Sequence, residues 1–236
     1  MPFNKILSEI ELLNRPSGEI WFRGQANSEW QLIPRLLRTG GGHAHESRML
    51  ARFRIRAMGL LDSYPPDNDP ARWLFLMQHH GLPTRLLDWS ESALTALYFA
   101  VKDEEEKDGV VYILLPIELN GQQVDTPAIY SPYYKDAHEM LLAAFKGAPV
   151  PEKIFSMLAY SSNERVANQS GHFTVHGTSS DLRSLDCASW LKTVVIPASD
   201  KMDIRRKLAF LGISRTTLFR DLDSLAADIR EQHGVS

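Results

Sequence analysis

Residues 78–101 read QHHGLPTRLLDWSESALTALYFAV, and the two halves of that stretch have opposite chemistry. Ala93, Leu94, Ala96, Leu97, Tyr98, Ala100 and Val101 leave almost no polar face on a helix running from about Glu91 to Lys102. Such a helix belongs in the centre of a core. The stretch before it is crowded with Gln78, His79, His80, Thr84, Arg85, Asp88, Trp89 and Ser90. Polar groups beside a buried helix cost stability unless they bond to one another or to a ligand. Part of the set has a local explanation. Asp88 followed by Glu91 has the spacing of an N-cap with a carboxylate at N3, Ser90 is an alternative cap, and Arg85 with Asp88 suits a loop salt bridge. Gln78, His79 and His80 fall outside those explanations, and they are read with Thr84, Arg85, Asp88, Trp89 and Ser90 as lining a cleft for a phosphorylated ligand. No metal is expected, because the two histidines have no third ligand at a fixed spacing.

Upstream, the β-formers of EIWFRG, residues 19–24, read as a strand ended by glycine in WFRGQANSEW, residues 21–30. A strand ending in Gly24 lets a ligand approach the backbone, and Arg23 presents a planar fork of donors suited to phosphate or carboxylate. Gln25 adds a neutral donor and acceptor. The alternative is that Arg23 bridges loop carbonyls or pairs with an internal aspartate.

The rest of the chain reads by punctuation and period. Helices are expected at about 4–13, 45–62, 71–80, 137–145, 203–211 and 218–230; in the second, Arg48, Arg52 and Arg56 fall four apart beside an apolar row. VVYILLP (110–116), GHFTVHG (171–177) and KTVVIP (192–197) read as strands, the first as an interior one. Helices and strands intermix without regular βαβ spacing. The expectation is an α+β fold, one domain, with a mixed sheet, a central buried helix and peripheral helices.

With 236 residues, 44% hydrophobic and 23% charged, the chain is long enough for a substantial core. A net charge of −3 and a pI near 6.2 exclude the global positive field of a protein that coats nucleic acid or anionic membrane, so an anionic ligand must be met locally. The single cysteine, Cys187, allows no internal disulfide and fits a reducing compartment. MPFNKILSEIELL is amphipathic without an apolar signal core, and no window offers ~18 consecutive apolar residues. A cytoplasmic protein, away from membranes, is expected.

FRGQ with the following Trp30, Leu32 and Pro34-Arg35, and above all QHHGLPTRLLDWSESALTALYFAV, resemble the FRG domain, named for its Phe-Arg-Gly motif. The resemblance extends to an isoleucine-proline strand end, a lysine and GISRTTLFRDLDSLA, covering about residues 15–230. It implies a bacterial or phage-associated module, set in toxin or phage-defence contexts, without an assigned activity. The aromatic-Arg-Gly step also resembles the opening motif of Arg-Ser-Glu type ADP-ribosyltransferases. That likeness implies NAD as substrate, with Arg23 holding it and residues from Thr84 to Ser92 as the second element. It also implies a third element in NERVANQSGHFTVH with a glutamate that stabilises a cationic ribose. Gln169 stands at the expected place of that glutamate, leaving Glu164 or Glu91 as the carboxylate and His79 or His80 as acid, base or orienting donor. The acceptor would be a protein or a nucleic acid. A binding module without chemistry is the alternative. Residues 205–226 also resemble a helix-turn-helix, with Ser214 to Thr217 opening a recognition helix. From Arg215 to Arg230, three arginines face three aspartates, so a helix pair completing the core through Leu218, Leu222, Leu225 and Ile229 is preferred.

Overall fold

Proline and glycine punctuation sets where the elements begin and end. The computed structural model describes residues 4–5, 8–9, 19–38, 42–158, 172–219 and 221–233. In chain order these form β1 (Trp21–Gln25), α1 (Gly42–Ala57), α2 (Pro70–His79), β2 (Leu86–Trp89), α3 (Ala93–Val101), β3 (Gly109–Leu114) and α4 (Pro116–Val124). They continue as α5 (Lys135–Lys146), β4 (Ile154–Leu158), β5 (His172–His176), β6 (Leu191–Ile196), α6 (Ala198–Phe210), α7 (Arg215–Phe219) and α8 (Leu222–Gln232). The class is α+β. The strands form two three-stranded antiparallel sheets, β1-β3-β6 and β2-β5-β4, in place of one mixed sheet. A fully apolar run such as β3 is buried on both faces and carries no alternation from which strand direction could be read.

The described contacts fall into two compact units. The first takes residues 1–30, 90–114 and 191–236, the second residues 31–89 and 115–190. Because the segments of the two units alternate along the chain, no linker exists for sequence punctuation to mark.

In the first unit α3 lies on the β1-β3-β6 sheet, and two glycines make that approach possible. A Cβ on Gly24 would stand 1.7 Å from the Ala96 carbonyl oxygen, and one on Gly109 would stand 2.2 Å from that of Ala100. Phe22, Val111, Ile113, Val194 and Ile196 complete the seat, with Ile204 and Leu208 of α6 packed into the same core. Lys201 of α6 is buried, its Nζ donating to the carbonyls of Ala26, Asp103 and Glu104 at 2.6, 3.0 and 2.7 Å. Desolvation holds that ammonium below the usual lysine range.

The tail departs from expectation. The run 218–230 is broken into a five-residue α7 and a separate α8, whose first turn is capped by the Asp221 carboxylate accepting from the Ser224 N–H at 2.6 Å. Leu222 is 80% exposed, with Leu225 and Ile229 also exposed and Leu218 half-buried, so the expected core-completing stripe faces outward. Ser214 and Thr216, expected to open a recognition helix, are both tied to the Asp228 carboxylate, at 2.7 and 2.8 Å.

In the second unit, α1, α2 and α5 cover one face of the β2-β5-β4 sheet through Leu50, Trp73, Leu74, Met77, Met140 and Leu141. α2 starts with Pro70 behind the Asp69 cap and ends before Gly81, whose φ of +77° turns the chain toward β2. β4 and α4 were not expected. Pro116, read as the end of a strand, instead opens α4 at its first turn.

Candidate ligand-binding site

The expected polar site residues divide between the two units. In the first unit Arg23 is half-buried, and Gly24 is not a place for a ligand to approach, because the backbone of α3 occupies that side. Cross-strand register sets Arg23 opposite Tyr112, and Tyr112 opposite Thr193. Side chains alternate along a strand, so Gln25 joins this row on the face turned away from α3. Gln25 and Tyr112 are buried, while Thr193 at the edge is exposed. Tyr112 and Thr193 were not singled out in the sequence, since an apolar run and a β-branched run disguise them.

Ser90 exchanges both backbone hydrogen bonds with Phe22, at 2.7 and 2.8 Å, next to Arg23. Its hydroxyl accepts from the Ser92 N–H at 3.1 Å, and Ser92 is the true N-cap of α3, accepting from the Thr95 N–H at 3.3 Å. Asp88, Glu91 and Ser90 therefore do not cap the helix. Glu91 is exposed.

In the second unit the loop expected over LPTRLLDW resolves into a turn and the strand β2, and its polar side chains satisfy one another. Thr84 Oγ1 donates to Gln78 Oε1 at 2.5 Å and accepts from the Leu86 N–H at 3.1 Å. Gln78 Nε2 donates to Asp88 Oδ2 at 2.8 Å. Arg85 does not pair with Asp88. It is buried against Glu46 of α1, with Nε and Nη2 at 2.8 and 2.5 Å from Oε2 and its backbone N–H at 3.0 Å from Oε1. An arginine withdrawn from water needs such a partner, and it leaves Arg85 unavailable to an external anion.

Trp89 is likewise consumed, its Nε1–H donating to Thr174 Oγ1 at 3.1 Å. Thr174 Oγ1 lies 2.9 Å from His176 Nε2. Indole only donates, so Thr174 Oγ1 accepts from Trp89, and the direction of its bond to His176 follows the imidazole tautomer. His172, Thr174 and His176, which alternate with Phe173 and Val175 along β5, are all buried. His79 and His80 stay exposed at the end of α2, their rings edge to face at 5.1 Å. Glu164 and Gln169, with most of the helix expected at 4–13, lie outside the described residues. Among the described residues no helix is long and apolar enough to cross a membrane.

No curated protein and no solved structure matches the chain. The family model of the FRG domain matches residues 18–109, from just before β1 to the first residue of β3. That span holds Arg23 and Gln25, the Gln78–Thr84–Asp88 network, the Arg85–Glu46 pair and the whole of α3. Over residues 18–109 the chain is similar to the FRG domain.

Proposed function

We propose that this protein is a binding module for a phosphorylated, nucleotide-like ligand, held by Arg23, Gln25 and Tyr112. The observation that carries the reading is the shared sheet face. A guanidinium fork, an amide and a phenol stand together there. Those three groups suit an anion with hydroxyl groups, such as a nucleoside diphosphate or NAD. The network around Gln78 serves as a rigid brace for β2.

A second reading is ADP-ribosyl transfer or NAD hydrolysis, with a protein or nucleic acid as acceptor, in conflict between bacteria and phage. It is favoured by the Phe22–Ser90 bridge, which sets the exposed Glu91 one residue from a backbone directly bonded to the Arg23 strand. Glu91 would then stabilise the cationic ribose.

Titration calorimetry with NAD, ADP-ribose and inorganic phosphate, with nicotinamide release followed on the same samples, separates the two. Binding without release is expected. Arg23→Ala is expected to weaken binding tenfold or more while the melting temperature holds. Absence of binding to the native chain, or a destabilised Arg23→Ala that binds as before, overturns the reading. Nicotinamide release that disappears in Glu91→Gln establishes the second one.

A further inference from the structure

Arg48, Arg52 and Arg56 form a row on α1, and the second unit sets an apolar groove beside it. Met49, Phe53 and Ala57 each follow Arg48, Arg52 and Arg56 by one position, so an apolar row and a cationic row run side by side along the helix. The apolar row, with Leu60, Leu61, Leu76 and Leu82, lines a groove of roughly 470 Å³, and Arg52, Arg56 and His80 stand among its walls. The His80 ring lies 6.2 Å from that of Phe53. Leu60, 86% exposed, is at the mouth.

The arginines separate into two groups. Arg54 is paired with Asp67 at 2.6 Å, Arg72 with Asp69 at 3.2 Å, and Arg85 with Glu46. Arg52 and Arg56 have no carboxylate partner among the described residues. An apolar groove bordered by two cations with no carboxylate partner among the described residues asks for an occupant with an apolar body and an anionic end. The volume is that of a small-molecule pocket, mostly apolar with a few polar groups at one side. A protein partner would need a surface of about 800 Å² on each side, far beyond this handful of side chains.

We propose that this groove binds an amphipathic anion, an alkyl or aryl body carrying one carboxylate or phosphate. The body lies against Phe53, Leu61, Leu76 and Leu82, and the head meets Arg52 and Arg56. The site is independent of the Arg23 face and does not rest on the reading of that face.

The test is titration of the full chain, below micelle-forming concentrations, with laurate, dodecyl phosphate and dodecyltrimethylammonium. The two anions are expected to bind saturably, and whichever is tighter identifies the head group. The cation is expected to bind at least tenfold more weakly. Shortening the chain is expected to cost up to about fourfold per methylene. Arg52→Gln with Arg56→Gln should weaken both anions tenfold or more. Leu60→Asp, at a side chain too exposed to hold the fold, should also weaken them, whereas Arg23→Ala should leave them unchanged. Equal affinity for the cation, unaltered binding in the double glutamine variant, no saturable binding, or saturable capture of an acidic amphipathic peptide in place of laurate overturns the proposal.

Discussion

Arg85 and Glu46, 39 positions apart, meet as a buried ion pair in which one carboxylate oxygen takes both Nε and Nη2 of the guanidinium while the other takes the arginine's own N–H. The pair ties the start of β2 to α1. Removing one partner leaves a buried charge uncompensated, so Glu46→Ala and Arg85→Ala should each lose about 3–5 kcal/mol of unfolding free energy. Glu46→Leu combined with Arg85→Met should lose less than either. Urea denaturation of the three variants measures this, and near-neutral single variants would contradict the structural role.

Gly24 is fixed by packing. Gly24→Ala would drive a methyl into the Ala96 carbonyl, an atom of a helix backbone that cannot yield as a side chain would. A loss of at least about 3 kcal/mol, or failure to fold, is expected. A well-folded Gly24→Ala that had lost only ligand binding would instead restore the reading of Gly24 as a place of ligand approach.

The Gln78 brace should behave as a coupled network. Gln78→Leu leaves Thr84 and Asp88 without their partner and should cost about 1–3 kcal/mol. In a double-mutant cycle with Thr84→Val the effects should fall short of additivity by about 0.5 kcal/mol or more. Additive losses would mean that the two side chains act separately.

The tail has a defined response to acid. Burial pulls the Asp228 carboxyl upward, but hydrogen bonds from Thr216 and Ser214 outweigh it and hold the group below the usual carboxylate range. A lowered folded value means that Asp228 contributes stability above the unfolded value, about pH 3.9. That contribution is lost as pH falls through the folded value. Hydrogen exchange should report protection of the Thr216 amide at neutral pH and its loss only as pH falls below the usual carboxylate range, with Asp228→Ala unprotected throughout.

Lys201 supplies a third check on the first unit. Its ammonium serves three carbonyls at once, and Lys201→Met would leave all three without that donor. A loss of about 2–4 kcal/mol is expected in thermal or urea unfolding. An unchanged midpoint would show that water replaces the ammonium.

By itself the sequence determined the elements whose signal is local. The all-apolar run of α3, the strand β3, the stop of α2 before Gly81 and both FRG motifs are written in adjacent residues, because helix and strand periods and turn chemistry act within a few positions. It also identified the polar crowding beside α3 as something requiring partners. Which partners was a tertiary decision. Thr84, Gln78 and Asp88 answer one another; Arg85 finds Glu46; Trp89 finds Thr174, 85 positions away. The same holds for Gly24, whose neighbour is a helix that begins at Ala93, and for α8, whose stripe promised burial and stands in water. Amphipathic pattern specifies that a face is apolar, but only the packing of distant segments specifies whether anything covers it.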